Sequence, residues 1–449
     1  MDFVLILQIA VLLGAIFLGI KLGGIGIGYA GGLGVIALTL GLGMEAGKIP
    51  WDVILIIMSV IAAITAMQEA GGLDYLVRIA EKILRKNPKQ VNYLAPTVTY
   101  LLTLFAGTGH TAFSMIPVIV EVAKEQNIKP SAPLSLAVVS SQIAITASPV
   151  SAAVIFMSGQ DALGAVGVSY PILLAICIPT TYLGCMLAAF IVNTFFNIKL
   201  SDDPVYQERL KAGLVKNTTY DPANQPELPK GAALSVLIFL IGVVTVVFYA
   251  SAVSDALKWL DPKILPRDGA IMSFMLAVAT FIVIFCKVDT SKLASTSTFR
   301  SGMVACICVL GVAWLGDTFV KGHIDSIKAT ASTLVKDYPF LLAVALAFAS
   351  MLLYSQAATA KALIPTVIVA LGIDAQHTEH VYIIVASFAA VSALFILPTY
   401  PTLLGAIQMD DTGSTRVGKY IFNHSFLLPG ILMITFSVAL GFIVAPILL

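Results

Sequence analysis

Apolar runs of about 20 residues, the length that crosses a hydrocarbon core of about 30 Å, recur from one end of the chain to the other. They predict helices over 3–20, 24–43, 51–70, 92–122, 133–157 and 171–196, with an amphipathic stretch over 73–89. A second set covers 232–252, 269–286, 300–316, 340–371, 381–408 and 421–447, with its own amphipathic stretch over 320–337. Between the sets lies a polar segment carrying Pro204, Pro222, Pro226 and Pro229, whose composition reads as a linker. The organisation expected is a first half over 1–197, a linker over 198–231 and a second half over 232–449.

Two of these segments are too long for one crossing and broken in the middle. The stretch 92–122 is interrupted at Gly107, Thr108, Gly109 and His110, and 340–371 at Ser355, Gln356, Ala357 and Ala358. Each piece alone is too short to span, so two re-entrant hairpins are expected.

The halves also match each other. Pro117 pairs with Pro365 and Pro149 with Pro398, at offsets agreeing to within one residue, and WDVILIIMSVIAAITAM falls on FRSGMVACICVLGVAWL. With a hairpin in each half, each crosses five times, and an odd number inverts the second half. The fold class expected is an all-α polytopic membrane protein with two inverted-topology repeats and about ten full spans. Charge tests this independently: 18 of the 26 Lys and Arg fall on one face, 7 on the other, and Lys361 lies between. The positive-inside rule then makes the linker cytoplasmic and both termini periplasmic.

Composition agrees, with 58% hydrophobic and 11% charged residues. The net charge of +1 leaves no basic face for nucleic acid. The opening MDFVLILQIAVLLG lacks the basic region and cleavage site of a signal peptide and reads as a retained first span. Cys177, Cys185, Cys286, Cys306 and Cys308 lie in or beside apolar segments without metal-ligand spacing. No phosphate loop or nucleophile constellation is present, which excludes an ATP-driven pump within this chain and argues against an enzyme.

Inverted repeats with interrupted helices are the pattern of secondary transporters, whose sites lie where the breaks meet near the midplane. One pair of breaks is the hairpin tips: Gly107, Thr108, Gly109, His110 and Thr111, with Ser355, Gln356, Thr359 and Lys361. The other pair lies in 133–157 and 381–408: Thr146, Ser148, Pro149 and Ser151, with Pro398, Thr399, Tyr400 and Thr402. Proline and glycine free backbone groups that hydrocarbon cannot satisfy, so such breaks line a cavity or a ligand. Half-helix N-termini carry partial positive charge and free N–H groups suited to carboxylates, and short hydroxyls add donors. Two symmetric tips fit one carboxylate each of a four-carbon diacid.

Lys361 is too costly to face lipid, so it neutralises a substrate carboxylate or pairs within the protein. His110 either carries a proton or only donates a hydrogen bond. Ser140, Ser141 and Gln142 read equally as site or as helix-helix glue. Asp317 reads as an acid at a helix end, and His377 with His380 lack a third metal ligand. All four breaks belong to 92–157 and 340–408, so an elevator is expected, with this unit moving past the remaining helices. The stretches 73–89 and 320–337 would be its connecting arms.

FAGTGH (105–110), VVSSQIAITASPVSAAV (138–154), GVAWLGDTFV (311–320), LLYSQAATAKALIP (352–365) and FILPTYPTL (395–403) closely resemble the anaerobic C4-dicarboxylate transporters of the Dcu A/B type, the A type most. CKVDT (286–290), GGLDYLV (71–77), KILRKNPK (82–89) and QMDDTGSTRVGK (408–419) extend the likeness over nearly the whole chain. His110 departs from the A-type pattern, which has asparagine there, and agrees with the B type. The resemblance implies uptake, antiport and efflux of fumarate, succinate, malate and aspartate across a bacterial inner membrane in anaerobic growth. It also implies coupling to protons or sodium, with no other cofactor. Another small anion, a homo-oligomer and a sensor-kinase partner, for which Asp410 and Asp411 offer a surface, stay open.

Overall fold

The computed structural model describes residues 3–22, 25–49, 51–196, 199–215, 227–253, 259–260, 264–353, 355–398, 400–420 and 422–449. These residues are helical throughout, without strands beyond two isolated bridges. Helices α1 (Phe3–Leu22) and α2 (Gly26–Ile36) pack on each other, and α2 runs into a π-helical turn, Ala37–Gly41. After α3 (Trp51–Glu69) the chain turns at Gly71, whose φ is +82°, and bends by 69° into α4 (Gly72–Lys86). Leu76, Val77, Ala80 and Leu84 lie on the inner face of α4 and pack into the core, as its amphipathic spacing requires.

The first predicted hairpin is α5 (Val91–Ala106) and α6 (Ala112–Glu125). Both helices touch α4, so the pair enters and leaves on one side. There Arg85 donates to Glu81 at 2.9 Å and to Glu121 of α6 at 2.5 Å. Next come α7 (Ser131–Ile143), a 3-10 turn Ala144–Thr146, a break, and α8 (Ala152–Met157), followed by α9 (Tyr170–Phe195).

The linker, for which no helix had been expected, holds one, α10 (Pro204–Lys211). Proline is favourable in a first helical turn, and the Asp203 carboxylate caps that turn by accepting from Val205 N (2.9 Å) and Tyr206 N (3.3 Å).

In the second half α11 (Ala232–Ala252) and α12 (Arg267–Cys286) precede α13 (Ser297–Asp337), which kinks at His323. The second hairpin is α14 (Leu341–Leu353) and α15 (Gln356–Ala370). The second interrupted segment is α16 (Val381–Ser387), a 3-10 turn Phe388–Ser392, a break, and α17 (Pro401–Met409). Helix α18 (Leu427–Leu448) closes the chain.

Among the described residues five helices are long and apolar enough to cross a membrane alone: Tyr170–Phe195, Ala232–Tyr249, Asp268–Cys286, Thr298–His323 and Leu427–Leu448. The pair Ile54–Glu69 and Gly72–Lys86, bent by 69°, would be a sixth if its two helices formed one span. The interrupted segments escape such a count by construction, since each consists of two short pieces.

Lipid tails are as apolar as leucine, so these helices cohere by close packing and hydrogen bonds rather than by exclusion from water. The main core gathers both hairpins, both interrupted segments, α9 and α18. Helices α9 and α18 meet where Gly184 lies against Ser437. These two unbroken helices had been assigned to the static remainder; they pack with the broken ones. A second core joins α3, α11 and α12, and a third joins α1, α2 and α13, where Gly28 and Gly311 touch backbone to backbone.

Candidate functional site

Gly107 ends α5 with φ +67°, the left-handed conformation glycine tolerates best. A Cβ there would stand 3.0 Å from both Cγ2 and O of Val150, in the break before α8. The first tip therefore rests directly on the first break. Thr111 folds back so that its Oγ1 lies 3.0 Å from Thr103 Oγ1, and it also donates to Thr108 O at 3.2 Å. Gly109 faces Ser141 and Ile145. His110 lies in the 3-10 turn Gly109–Thr111, and its side chain is outside the described set.

The break itself is fastened by its hydroxyls. Thr146 Oγ1 donates to Ile143 O (2.7 Å), Ser151 Oγ to Ile145 O (2.6 Å) and Ser148 Oγ to Leu104 O of α5 (2.7 Å). Ser151 also caps α8 by accepting from Val154 N. Tyr170 OH donates to Pro149 O. Ser140 and Thr99 stitch α7 to α5, donating to Pro96 O and Ala137 O. Of these, Thr146, Ser148 and Ser151 had been expected to offer donors to a ligand. In this structure each of them donates to a backbone carbonyl, the partner that a buried hydroxyl requires.

The second tip is built alike. Ser355 Oγ caps α15 by accepting from Ala358 N (3.2 Å), and Thr359 Oγ1 donates to Ser355 O (2.8 Å). In the second break Tyr400 precedes α17, Pro398 is buried, and Thr399 lies outside the described residues.

Gln142 joins the pieces. Its Nε2 donates to Thr402 Oγ1 of α17 at 3.3 Å, and its carbonyl accepts from Gln356 Nε2 of α15 (3.1 Å) and from Ser392 Oγ (3.0 Å). Its side-chain Oε1 is buried without a partner. Contacts between the halves are reciprocal: α8, beyond the first break, packs on α15, and α17, beyond the second, packs on α6 through Gly405 and Phe113. Both tips and both breaks thus converge on the end of α7. The apolar run around Gln142 had left its role undecided; the signal available was a lone amide in a segment with no other need for one.

Lys361, in the second turn of α15, is 5% exposed. Its Nζ has no hydrogen-bond partner and lies 5.7 Å from the centre of the Phe156 ring in α8. A cation–π contact offsets only part of the cost of burying an ammonium. The arrangement is a buried cation beside the Phe156 ring, with Cys306 and Asp161 within electrostatic reach, on the helix that starts at the second tip.

Other singled-out residues take structural places. Asp317 accepts from Lys48 N (2.6 Å) and fixes the 42–49 segment to α13. Asp410 is buried and accepts from Thr412, Ser414 and Thr415. Asp411 pairs with Lys124 at 2.9 Å. His377 bonds Asp374 at 3.1 Å on an exposed turn.

A family profile described as anaerobic C4-dicarboxylate membrane transporter matches residues 4–449. The C4-dicarboxylate transporter DcuA of Helicobacter pylori is 66% identical over 442 residues, covering 98% of this chain and 99% of its own. The anaerobic C4-dicarboxylate transporter DcuB of Escherichia coli O6:H1 is 37% identical over 445 residues, covering 98% of each. In fold the chain is similar to the crystal structure of the Alcanivorax borkumensis YdaH transporter, with a TM-score of 0.54 at 12% identity, over 86% of this chain and 84% of that one.

Proposed function

Because the chain belongs to the family of anaerobic C4-dicarboxylate membrane transporters, nearer its A type than its B type, we propose that it moves fumarate, succinate, malate and aspartate across a bacterial inner membrane by uptake and antiport. It is a multi-pass C4-dicarboxylate transporter and not an enzyme. The observation that carries the finer reading is the convergence of two tips and two breaks on Gln142, with the partnerless Lys361 ammonium beside them.

A diacid needs two anion subsites a few ångströms apart. The starts of α6 and α15, one from each half, supply partial positive charge, and Lys361 supplies a full one. The reciprocal packing of α8 on α15 and of α17 on α6 supports two inverted repeats, 1–197 and 232–449, joined by a cytoplasmic linker over 198–231. Ten crossings and periplasmic termini follow from that reading. In this reading an elevator moves the hairpin unit, now including α9 and α18, against α3, α11 and α12, which share a second core and meet the unit through Ile54, Ile57 and Ile61 of α3 and through Val150 and Ile155. Helix α4, leaving α3 at 69°, serves as one arm. Depth measurements in inward and outward states that leave Ser148 and Pro398 unmoved would exclude the elevator.

The deciding experiment is counterflow of labelled fumarate and aspartate in proteoliposomes, with imposed proton or sodium gradients. Uptake competed by the four dicarboxylates and driven by one gradient is expected. Competition by citrate, sulfate or monocarboxylates alone would reassign the substrate.

A further inference from the structure

Away from the tips, on the face that carries the linker, a cavity of about 330 Å³ opens between the start of α7, the ends of α9 and α18 that face it, and residues 414–418 and 423–425. That volume lies within the range of small-molecule sites. Among the described residues the charged side chains lining it are both cations, Lys129 and Arg416. Asp203 stands behind both, 2.6 Å from Lys129 Nζ and 3.8 Å from an Arg416 nitrogen. It fixes the lysine closely and the arginine loosely, and the Arg416 side chain stays 46% exposed. Asp410, also behind the wall, is taken up by its own turn and by Ser414.

The wall of the cavity also reaches the second break. His424 lines it while only 8% exposed. Its Nε2 lies 3.1 Å from Ile396 O in the second break, which makes Nε2 the donor, and its Nδ1 has no partner. That nitrogen is closed to solvent, so His424 serves here as the part of the wall that ties the cavity to the second break.

We propose that this cavity is a second anion site, separate from the tips, which takes a carboxylate or phosphate oxyanion on Lys129 and Arg416. His424 connects it to the second break, so occupancy bears on the segment that carries Pro398 and Thr402. The same chemistry is offered by a free dicarboxylate and by the headgroup of an anionic lipid, since Phe196 and Leu428 bring the cavity to the ends of two membrane helices. The proposal does not rest on the role given to Lys361.

The test uses the full chain with Phe196→Trp as a reporter in the cavity and Lys361→Met to weaken the central site, in phosphatidylcholine nanodiscs. Fumarate is titrated in one arm and phosphatidylglycerol is added in the other, each read against the chain without the reporter. A saturable fluorescence change is expected, weakened about tenfold by Arg416→Gln, the loss of one charge-assisted bond. Ala132→Leu, which fills the cavity, should abolish it. A response to fumarate identifies a solute site, and one to phosphatidylglycerol alone a lipid site. No saturable change in either arm, or one indifferent to both substitutions, overturns the proposal.

Discussion

Gln142 and Thr402, far apart in sequence and one from each half of the chain, meet at 3.3 Å where the two interrupted segments cross. The amide donates, and the same residue's carbonyl receives Gln356 and Ser392. Gln142→Leu removes only the side-chain bond, because the carbonyl remains. The expected result is a transport rate at least tenfold lower with assembly largely retained, since one lost neutral bond costs about 1 kcal/mol. Fumarate uptake and a thermal-unfolding midpoint, measured on the same preparation, check it. Wild-type uptake would reduce the bond to packing.

Gly107 bears on Val150 with a left-handed backbone. Gly107→Ala should destabilise the first tip by about 1–2 kcal/mol from the backbone alone, with a further steric penalty against Val150. Adding Val150→Ala should recover only the steric share that Val150 Cγ2 causes, since Val150 O stays, and none of the backbone share. A double-mutant cycle on unfolding midpoints separates the two, and full additivity would mean that the tip does not press on the break.

Lys361→Met should weaken fumarate binding more than tenfold, about 1.4 kcal/mol. Stability should hold or rise, because a buried ammonium without a hydrogen-bond partner is replaced by an apolar chain of similar length. Calorimetric titration with fumarate decides, together with a melting curve. Unchanged affinity assigns the lysine to structure.

Asp203 sets a pH dependence at the linker. Burial alone would raise its carboxyl, but the Lys129 ammonium and the amides of Tyr206 and Val205 outweigh it and hold the group below the usual carboxylate range. A lowered folded pKa stabilises above the unfolded value of about 3.9 and is lost as pH falls through the folded one. Docking of α10 should therefore be constant from pH 8 to 5 and loosen only in strong acid. Asp203→Asn at pH 7 should mimic that loosening, seen as faster hydrogen exchange over 204–211. Equal protection in the variant would show that α10 is held by other contacts.

The helices, the hairpin breaks and the amphipathic arm were legible in the sequence, because hydrocarbon imposes length and admits no unsatisfied backbone. Thus the breaks at Gly107 and Ser355 fall within two residues of the helix ends found. The helix α10 was missed because Pro204 reads as a breaker until Asp203 is seen to cap it. The duties of the hydroxyls were hidden too: Ser148 and Ser151 look alike in sequence, and only packing assigns their protons to Leu104 and Ile145.

By itself, then, the sequence determined the membrane-spanning class, the position of each break and the isolation of Lys361, since these depend on local hydropathy and backbone chemistry. Only the tertiary structure decided which breaks meet, that Gln142 joins them, that α9 and α18 share their core, and that Lys129, Arg416 and His424 enclose a cavity. Those relations are distances between residues remote in the chain, and lipid, being indifferent to which apolar faces pair, leaves that choice to close packing and hydrogen bonds.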